Sequence, residues 1–299
     1  MNSLREEWLI LISTPIYIVI IGVEILLTHL QQKKSYTIRN TFTNVYLMLL
    51  NGGLDLGIRF ISVAVLQFFF INSFMNWQQG FWYWLALLVA EDFIYYWLHR
   101  FDHEVRFFWA THITHHSSQI MNFTVGFRSS VFQPLYRFIY FIPLAVLGFS
   151  PLDIAFVYSA TQIWGIFVHT ELIHKMGWLE YVFVTPSHHR VHHGSNAKYL
   201  DKNMGMFLII WDKMFGTFQP ELSKEEYEPI AYGLTKNLEN PNAMSIVFNE
   251  WNEIKKDLEK SDISFKQRLQ YLFGPPGYSH DGSRKTSKQL VKFEEDQLK

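Results

Sequence analysis

Eleven of the chain's 13 histidines lie between His99 and His193, in groups whose spacing could hold metal ions. The groups are His99-x3-His103, His112-x2-His115-His116 and His189-x2-His192-His193. His188 adjoins the last group, and His169 and His174 stand between the second and third. Residues four apart on a helix are neighbours on one face, with Cβ atoms about 5–6 Å apart, so His99 and His103 can share an ion. His112 has a partner at both i+3 and i+4, and the third group repeats that arrangement. The eight imidazoles fit two ions better than one, because a first-row ion takes about six ligands at most. Imidazole suits Zn, Fe, Cu and Ni, whereas the absence of cysteine and of clustered Asp/Glu argues against thiolate or carboxylate-bridged centres. A lone histidine is ordinarily structural, and His29 and His280 are read that way.

His169 is expected as a further ligand. His174 is five residues on, about 140° around an ideal helix, so both can bind only if the helix breaks between them. The role of His188 stays open. Asp92 lies seven residues before His99, on nearly the same helix face. Metal-bound imidazoles commonly donate their second N–H to a carboxylate, which is the role expected for Asp92. An ion pair or a water-filled cavity is the alternative, and it suits Glu91 better.

The elements that must position these residues are apolar helices. The 299 residues are 49% hydrophobic and 17% aromatic, yet from position 222 onward there are 12 Lys/Arg and 13 Asp/Glu, 25 of the chain's 53 charged residues. A whole-chain mean hydropathy close to neutral therefore conceals a membrane protein with a polar C-terminal part. About 20 apolar residues span the hydrocarbon core. Residues 8–30, 58–77 and 81–98 meet that need, and 131–147 with 153–173 read as a hairpin turning at Gly148-Phe149-Ser150-Pro151. Residues 8–30 are too long and continuous for a signal-peptide core, and 41–57 are expected at the interface. Lys33, Lys34 and Arg39 follow the first span without an acid, while the loop at 72–80 is uncharged. The positive-inside rule then gives an outside N-terminus, five crossings and a cytosolic C-terminus, with every histidine box on the cytosolic face. The expected organisation is an all-α membrane-embedded catalytic domain at 1–220, a cytosolic extension at 221–277 and a disordered tail at 278–299. Within the first of these, 204–218 could form an interfacial helix closing the site or simply pack. Zero cysteine excludes disulfides, thiolate metal sites and a Cys nucleophile, and a net charge of −1 leaves no electrostatic case for nucleic acid.

These residues resemble the fatty acid hydroxylase (sterol desaturase) superfamily of membrane di-iron enzymes, and within it most of all the alkylglycerol monooxygenase family. The resemblance runs from about residue 40 to about 280. It rests on Asp92-Phe-Ile-Tyr-Tyr-Trp-Leu-His99-Arg-Phe-Asp-His103, on Trp109-Ala-Thr-His112-Ile-Thr-His115-His116 and on His169-Thr-Glu171. It continues through Thr185-Pro-Ser-His188-His-Arg-Val-His-His193-Gly, Asp201-Lys-Asn203 and Leu208-Ile-Ile-Trp-Asp-Lys-Met-Phe-Gly-Thr217. The resemblance implies O2-dependent hydroxylation of a lipid chain by two Fe ions, with tetrahydrobiopterin as reductant in the family named. It further implies His99, His103, His112, His115, His116, His189, His192 and His193 as ligands, with His169 beside them, and Glu171 as a site-lining residue. The charged C-terminal part and His174 depart from that pattern.

Two other readings compete. A membrane zinc hydrolase would also use imidazole, but catalytic zinc ordinarily keeps three protein ligands plus water, and no box contains a Glu general base. A metal transporter would place its ligands near the bilayer midplane, whereas these boxes lie beyond the span ends. No P-loop, dinucleotide fingerprint or haem-binding domain is visible, so an oxygenase would take electrons from a partner protein or a small bound reductant. The lipid, and whether the membrane is a bacterial inner membrane or the endoplasmic reticulum, stay open.

Overall fold

The computed structural model describes residues 3–33, 35–239 and 241–297, and among these the regular structure is helical apart from two isolated antiparallel bridges, Phe183 with Leu208 and Gly194 with Tyr232. Lys34 of the basic loop and the last two tail residues lie outside the described residues. The long helices come first: α1 (Ser3–Leu30), α2 (Ile38–Ile71) and α3 (Phe81–Glu104), followed by α4 (Arg106–His116). Shorter ones follow: α5 (Pro134–Tyr140), α6 (Ile142–Val146), α7 (Pro151–Phe167), α8 (Pro186–His192) and α9 (Ile210–Phe215). The charged C-terminal part forms α10 (Ala243–Leu258), α11 (Phe265–Phe273) and α12 (Ser287–Gln297).

Two helices are long and apolar enough to cross a membrane: Leu11–Leu30 within α1, and α2. Leu11, Val19 and Leu26 on α1 and Phe42, Phe60 and Phe68 on α2 project outward and are exposed, an apolar surface that needs a lipid or protein cover. The count of five crossings does not follow from length. The expected span at 131–147 is α5 and α6, of 7 and 5 residues, which break at Phe141 just before Pro143. Together they reach about 20 Å, short of a hydrocarbon core of about 30 Å. The interfacial segment expected at 41–57 is instead the first half of α2, which runs through Gly52, Gly53 and Gly57 without a break. Glycine disfavours a helix by about 1 kcal/mol per residue. Tertiary bonds hold this stretch: Asn51 Nδ2 donates to Ser130 O at 2.8 Å, and Asp55 pairs with Arg137 at 2.6 Å.

The expected turn does form. Gly148 has φ +89°, and a Cβ there would collide with the Met75 carbonyl. Pro151 then opens α7. Leu66, Leu87, Phe141, Leu144, Phe149 and Ile154 form the core where α2, α3, α6 and α7 meet.

The extension docks on α4 through Arg106, which is 1% exposed. Its Nε donates to Glu250 and a terminal nitrogen to Asp257, each at 2.7 Å. The Arg106 backbone N–H also donates to Gly274 O at 2.9 Å. The segment expected as a disordered tail carries α12, tied down where Tyr227 Oη donates to Glu294 at 2.6 Å.

Candidate metal centre

Nine histidines gather into two clusters. One holds His99, His103, His112, His116 and His192; the other holds His115, His169, His189 and His193, and within each the candidate ligand atoms lie within 4.8 Å of one another. Helical spacing explains the division. On α4, His112 and His116 sit four apart and face the first cluster, while His115 faces the second. At α8 the pattern reverses, His189 and His193 facing the second cluster and His192 the first. Both α3 histidines face the first. His169 enters the second from beyond the end of α7, where its Nδ1 donates to Gly165 O at 2.6 Å. His174 is exposed and belongs to neither cluster. His188 caps the start of α8, its Nδ1 accepting from Thr185 N at 3.4 Å.

The hydrogen bonds behind the rings fix their tautomers. Nδ1 of His99, His115, His169 and His192 donates to the carbonyls of Met204, Arg128, Gly165 and Lys202, at 2.8, 3.0, 2.6 and 3.0 Å. A carbonyl only accepts, so each of these rings carries its proton on Nδ1 and presents a bare Nε2 lone pair. His115 Nε2 and His169 Nε2 nevertheless face each other at 3.3 Å, lone pair to lone pair. His169 Nε2 also stands 2.9 Å from His189 Nε2 and 3.2 Å from His193 Nε2. In the first cluster His112 Nε2 lies 3.1 Å from His99 Nε2 and 3.2 Å from His116 Nε2, while His103 Nε2 and His192 Nε2 are buried without a partner. The His115–His169 contact repels unless a positive centre lies between the two rings. Imidazoles bonded to one ion at about 2.1 Å stand about 3.0–3.4 Å apart between octahedral and tetrahedral geometry, so these residues fit metal ions. Protons are a poor substitute. Burial, then neighbouring imidazoles, hold His112, His116, His189 and His193 well below the ordinary histidine range, and burial pushes His115 down to about 4.

The two acids expected at the site are placed elsewhere. The Asp92 carboxylate touches no box histidine; it accepts from Phe207 N, Leu208 N and Trp211 Nε1 at 2.9, 3.0 and 2.9 Å. Asp92 therefore anchors the segment whose Met204 carbonyl holds His99. Asp212 completes that anchor, accepting from Met204 N at 2.6 Å and Gly205 N at 2.8 Å. The stretch at 204–218 is thus a buried loop and the short α9, not one interfacial helix. Glu171 is half-buried against Tyr232, outside both clusters. Glu91 is fully buried beside Thr161 Oγ1, at 3.4 Å.

The acids that do meet box histidines were not singled out from the sequence. Asp201 Oδ1 is 3.4 Å from His103 Nδ1, and Asp102 Oδ2 is 3.8 Å from His112 Nδ1. Asp102 is held by Gln133 Nε2 and Tyr136 Oη, both at 2.7 Å. Its position inside the first box was a usable signal; Asp201 stood in the Asp201-Lys-Asn203 run of the family resemblance, but with no role attached to it.

Cavities open on two sides. One of about 560 Å³ lies among α1, α2, α3 and α7 and reaches His99 and His112 of the first cluster and His115, His169 and His189 of the second. Ile18, Ile21, Met48, Phe127, Ile166 and Met206 make much of its wall apolar. The other, about 370 Å³, meets His103, His116 and His192 and is walled by Trp109, Arg106, Lys236, Glu250 and Arg284. Glu24, buried in α1, ties that helix to the segment that carries His169. It accepts from Phe123 N at 2.8 Å and from the hydroxyls of Tyr36 and Thr170, the latter next to His169.

Residues 84–217 match the fatty acid hydroxylase family. Alkylglycerol monooxygenase of Danio rerio is 37% identical over 227 residues, covering 75% of this chain and 49% of that protein. The Homo sapiens alkylglycerol monooxygenase is 38% identical over 198 residues, 66% of this chain and 43% of that protein. Ornithine lipid hydroxylase OlsE of Rhizobium tropici is 33% identical over 146 residues, 48% of this chain and 43% of that protein. The chain spans about half the length of the curated relatives it matches. No solved structure matches it. Through the matched segment, which contains all nine clustered histidines, the chain belongs to the fatty acid hydroxylase family.

Proposed function

We propose that the chain is a membrane di-iron oxygenase that hydroxylates a C–H bond of a lipid with O2. The observation that carries this reading is the pair of clusters of inward-facing imidazole nitrogens, both reached from one largely apolar cavity between the membrane helices. Five histidines would hold one ion and four the other. Bound iron supplies the activation of O2 and the delivery of one oxygen atom to the C–H bond. The protein does the rest. Carbonyls of Lys202, Met204, Arg128 and Gly165 fix ring orientation, and the walls of the larger cavity exclude water and admit a chain from the bilayer. Electrons come from a small reductant such as tetrahydrobiopterin or from a partner protein, and the polar cavity at His103, His116 and His192 is the route assigned to them.

The same reading sets the protein in the membrane. Phe74 N donates to Val146 O at 3.0 Å and Trp77 Nε1 to Leu147 O at 2.8 Å, so the loops after α2 and α6 share one end of the bundle. The histidines occupy the other. Lys33 and Arg39 follow α1 at that end, which favours the cytosolic side; α3 and α7 run between the same two ends, and the shorter α5–α6 returns the chain between them.

The deciding measurement is iron and zinc per chain in detergent-purified protein from iron-supplemented cells. About two irons, reduced in His192→Ala, is the expected result. Zinc that iron cannot displace under anaerobic reconstitution would instead make the protein a zinc hydrolase on the same fold.

A further inference from the structure

The helices of the C-terminal extension have two faces, and docking on the bundle uses one of them. On α10 the docked side buries Ile246, Val247 and Ile254, and on α11 it buries Tyr271. Elsewhere around α10, Met244 and Phe248 are exposed and Trp251 lies half-buried in line with them. On α11, Phe265, Leu269 and Phe273 recur every four residues, all exposed, on the side away from Tyr271. Lys266 and Arg268 flank that stripe, and no acid interrupts it.

This apolar surface continues one that the long helices already present. The exposed face of α2 runs down to its first turn, where Ile38 is 92% and Phe42 71% exposed. α10 begins beside that turn: Arg39 donates to Pro241 O at 2.7 Å, and Leu47 packs in one core with Ile246 and Val247. A lipid layer deep enough to cover Ile38 and Phe42 therefore reaches α10 as well. Ring contacts carry the surface onward. Trp251 meets Phe107 at 5.2 Å, Phe107 meets Phe273 at 6.1 Å and Phe108 at 5.5 Å, and Phe108 meets Tyr136 of α5 at 5.0 Å. Such aromatic belts mark the level where a bilayer meets water. Between α4, α5 and α10 lies a cavity of about 340 Å³ walled by Phe107, Leu135, Phe248 and Trp251. A stable protein partner packs closely against its site, whereas fluid acyl chains tolerate such a hollow.

We propose that α10 and α11 lie in the membrane interface at the histidine end of the bundle, with Met244, Phe248, Phe265, Leu269 and Phe273 in lipid. The extension is then a membrane-surface element and not a part free in water. The same two helices carry Glu250 and Asp257 to Arg106, so the lipid contact and the wall of the polar cavity meet in one pair of helices. This placement rests on the membrane reading of α1 and α2 and is independent of the metal.

The chain has no cysteine, so a single introduced thiol labels one position only. Met244→Cys and Phe265→Cys, each carrying a nitrobenzoxadiazole fluorophore, are reconstituted as the full chain in phosphatidylcholine nanodiscs, with or without lipid spin-labelled near the top of its acyl chains. An interfacial helix buries its apolar face about 5–10 Å deep, so both labels should emit to the blue of their position in water and lose about half of their emission or more to the spin label. Glu253→Cys, about 180° around α10 from Met244, should do neither. Both tested side chains are exposed, so neither substitution opens the core, and either variant alone decides. Phe60→Cys on α2 is the reference, quenched by lipid spin-labelled deep in its chains. Quenching at Phe60 without quenching at Met244 or Phe265 overturns the proposal and keeps the membrane reading. No quenching at any of the three overturns both. Blue emission at Met244 and Phe265 without quenching means that protein covers the face, which also overturns it.

Discussion

The two histidine clusters share the second and third boxes yet differ in how they are closed. The first takes all five members from the boxes on α3, α4 and α8, and three of them, His103, His116 and His192, face the polar cavity under the C-terminal extension. The second takes three from boxes and needs His169 from outside any box, and three of its four face the largely apolar cavity. An ion with about six positions would keep about two free in the second cluster and one in the first. The side facing the larger, mostly apolar cavity thus has fewer protein ligands and depends more on tertiary structure. The polar side is the more completely enclosed by helices.

The strongest way to break this contrast is to remove one ligand from each side. His169→Ala leaves three histidines in the second cluster, whereas His103→Ala leaves four in the first. Hydroxylation is expected to fall by more than about 100-fold in both, a larger loss than removing an outer hydrogen-bond partner gives. Iron content separates them: His169→Ala should fall to about one iron, and His103→Ala should keep more. Equal iron loss in the two variants would mean that the clusters behave as one unit.

Acid tests both clusters together. Each clustered ring whose proton affinity is lowered by burial binds that proton more weakly folded than unfolded. The unfolded chain then takes up more protons as pH drops below about 6.5, and stability falls with it. The loss continues to the folded values, His115 reaching its own near 4. Chelator-treated protein should therefore melt several degrees lower at pH 5.5 than at pH 7.5, and iron-loaded protein should release metal below about pH 6. Metal retained at pH 5 would argue against sites made of imidazole alone.

How much of this was legible depended on whether a residue's partners were local. The i, i+3 and i+4 spacings in the boxes are properties of a single helix, so the sequence offered His112 and His189 partners at both spacings, while the choice of His116 and His193 came from the packing of the helices. Asp92 shows the limit. Its spacing from His99 named a shared helix face but could not say which segment would arrive there, and Phe207, Leu208 and Trp211 arrive from more than 100 residues away. The same limit hid the contact of Asp201 with His103 and the continuity of α2, which Ser130 and Arg137 support from a distant loop and helix. In the fold, all-α character and the outer apolar helices were readable from composition. The split of 131–147 into α5 and α6 was signalled by Pro143, but a continuous apolar run masked it.

The extension sharpens the contrast from the polar side. Arg106 precedes the second box on α4 and is buried between Glu250 and Asp257. Arg106→Met leaves Glu250 without its cation, while Asp257 keeps Lys260 and Arg284. The cost should lie near the low end for a broken buried pair, about 3 kcal/mol, read as a lower melting temperature in detergent. Because the extension walls the polar cavity, chelators should strip the first cluster's iron faster than the second's. Equal stripping rates in this variant would separate the extension from the metal site.

Glu24 offers the matching test from the lipid side, with a smaller effect. Its carboxylate receives the Phe123 N–H and the Tyr36 and Thr170 hydroxyls, joining α1 to the turn that carries His169. Glu24→Gln keeps one acceptor and turns the other oxygen into a donor among donors, so at least one buried hydrogen bond is lost, at about 1–3 kcal/mol. The strain falls on Thr170, one residue from His169, and not on α3 or the polar cavity. The second cluster should accordingly lose its iron to a chelator faster than in the wild type, with the first unchanged. Faster loss from both would mean that α1 holds the whole centre together, not the four-histidine side alone.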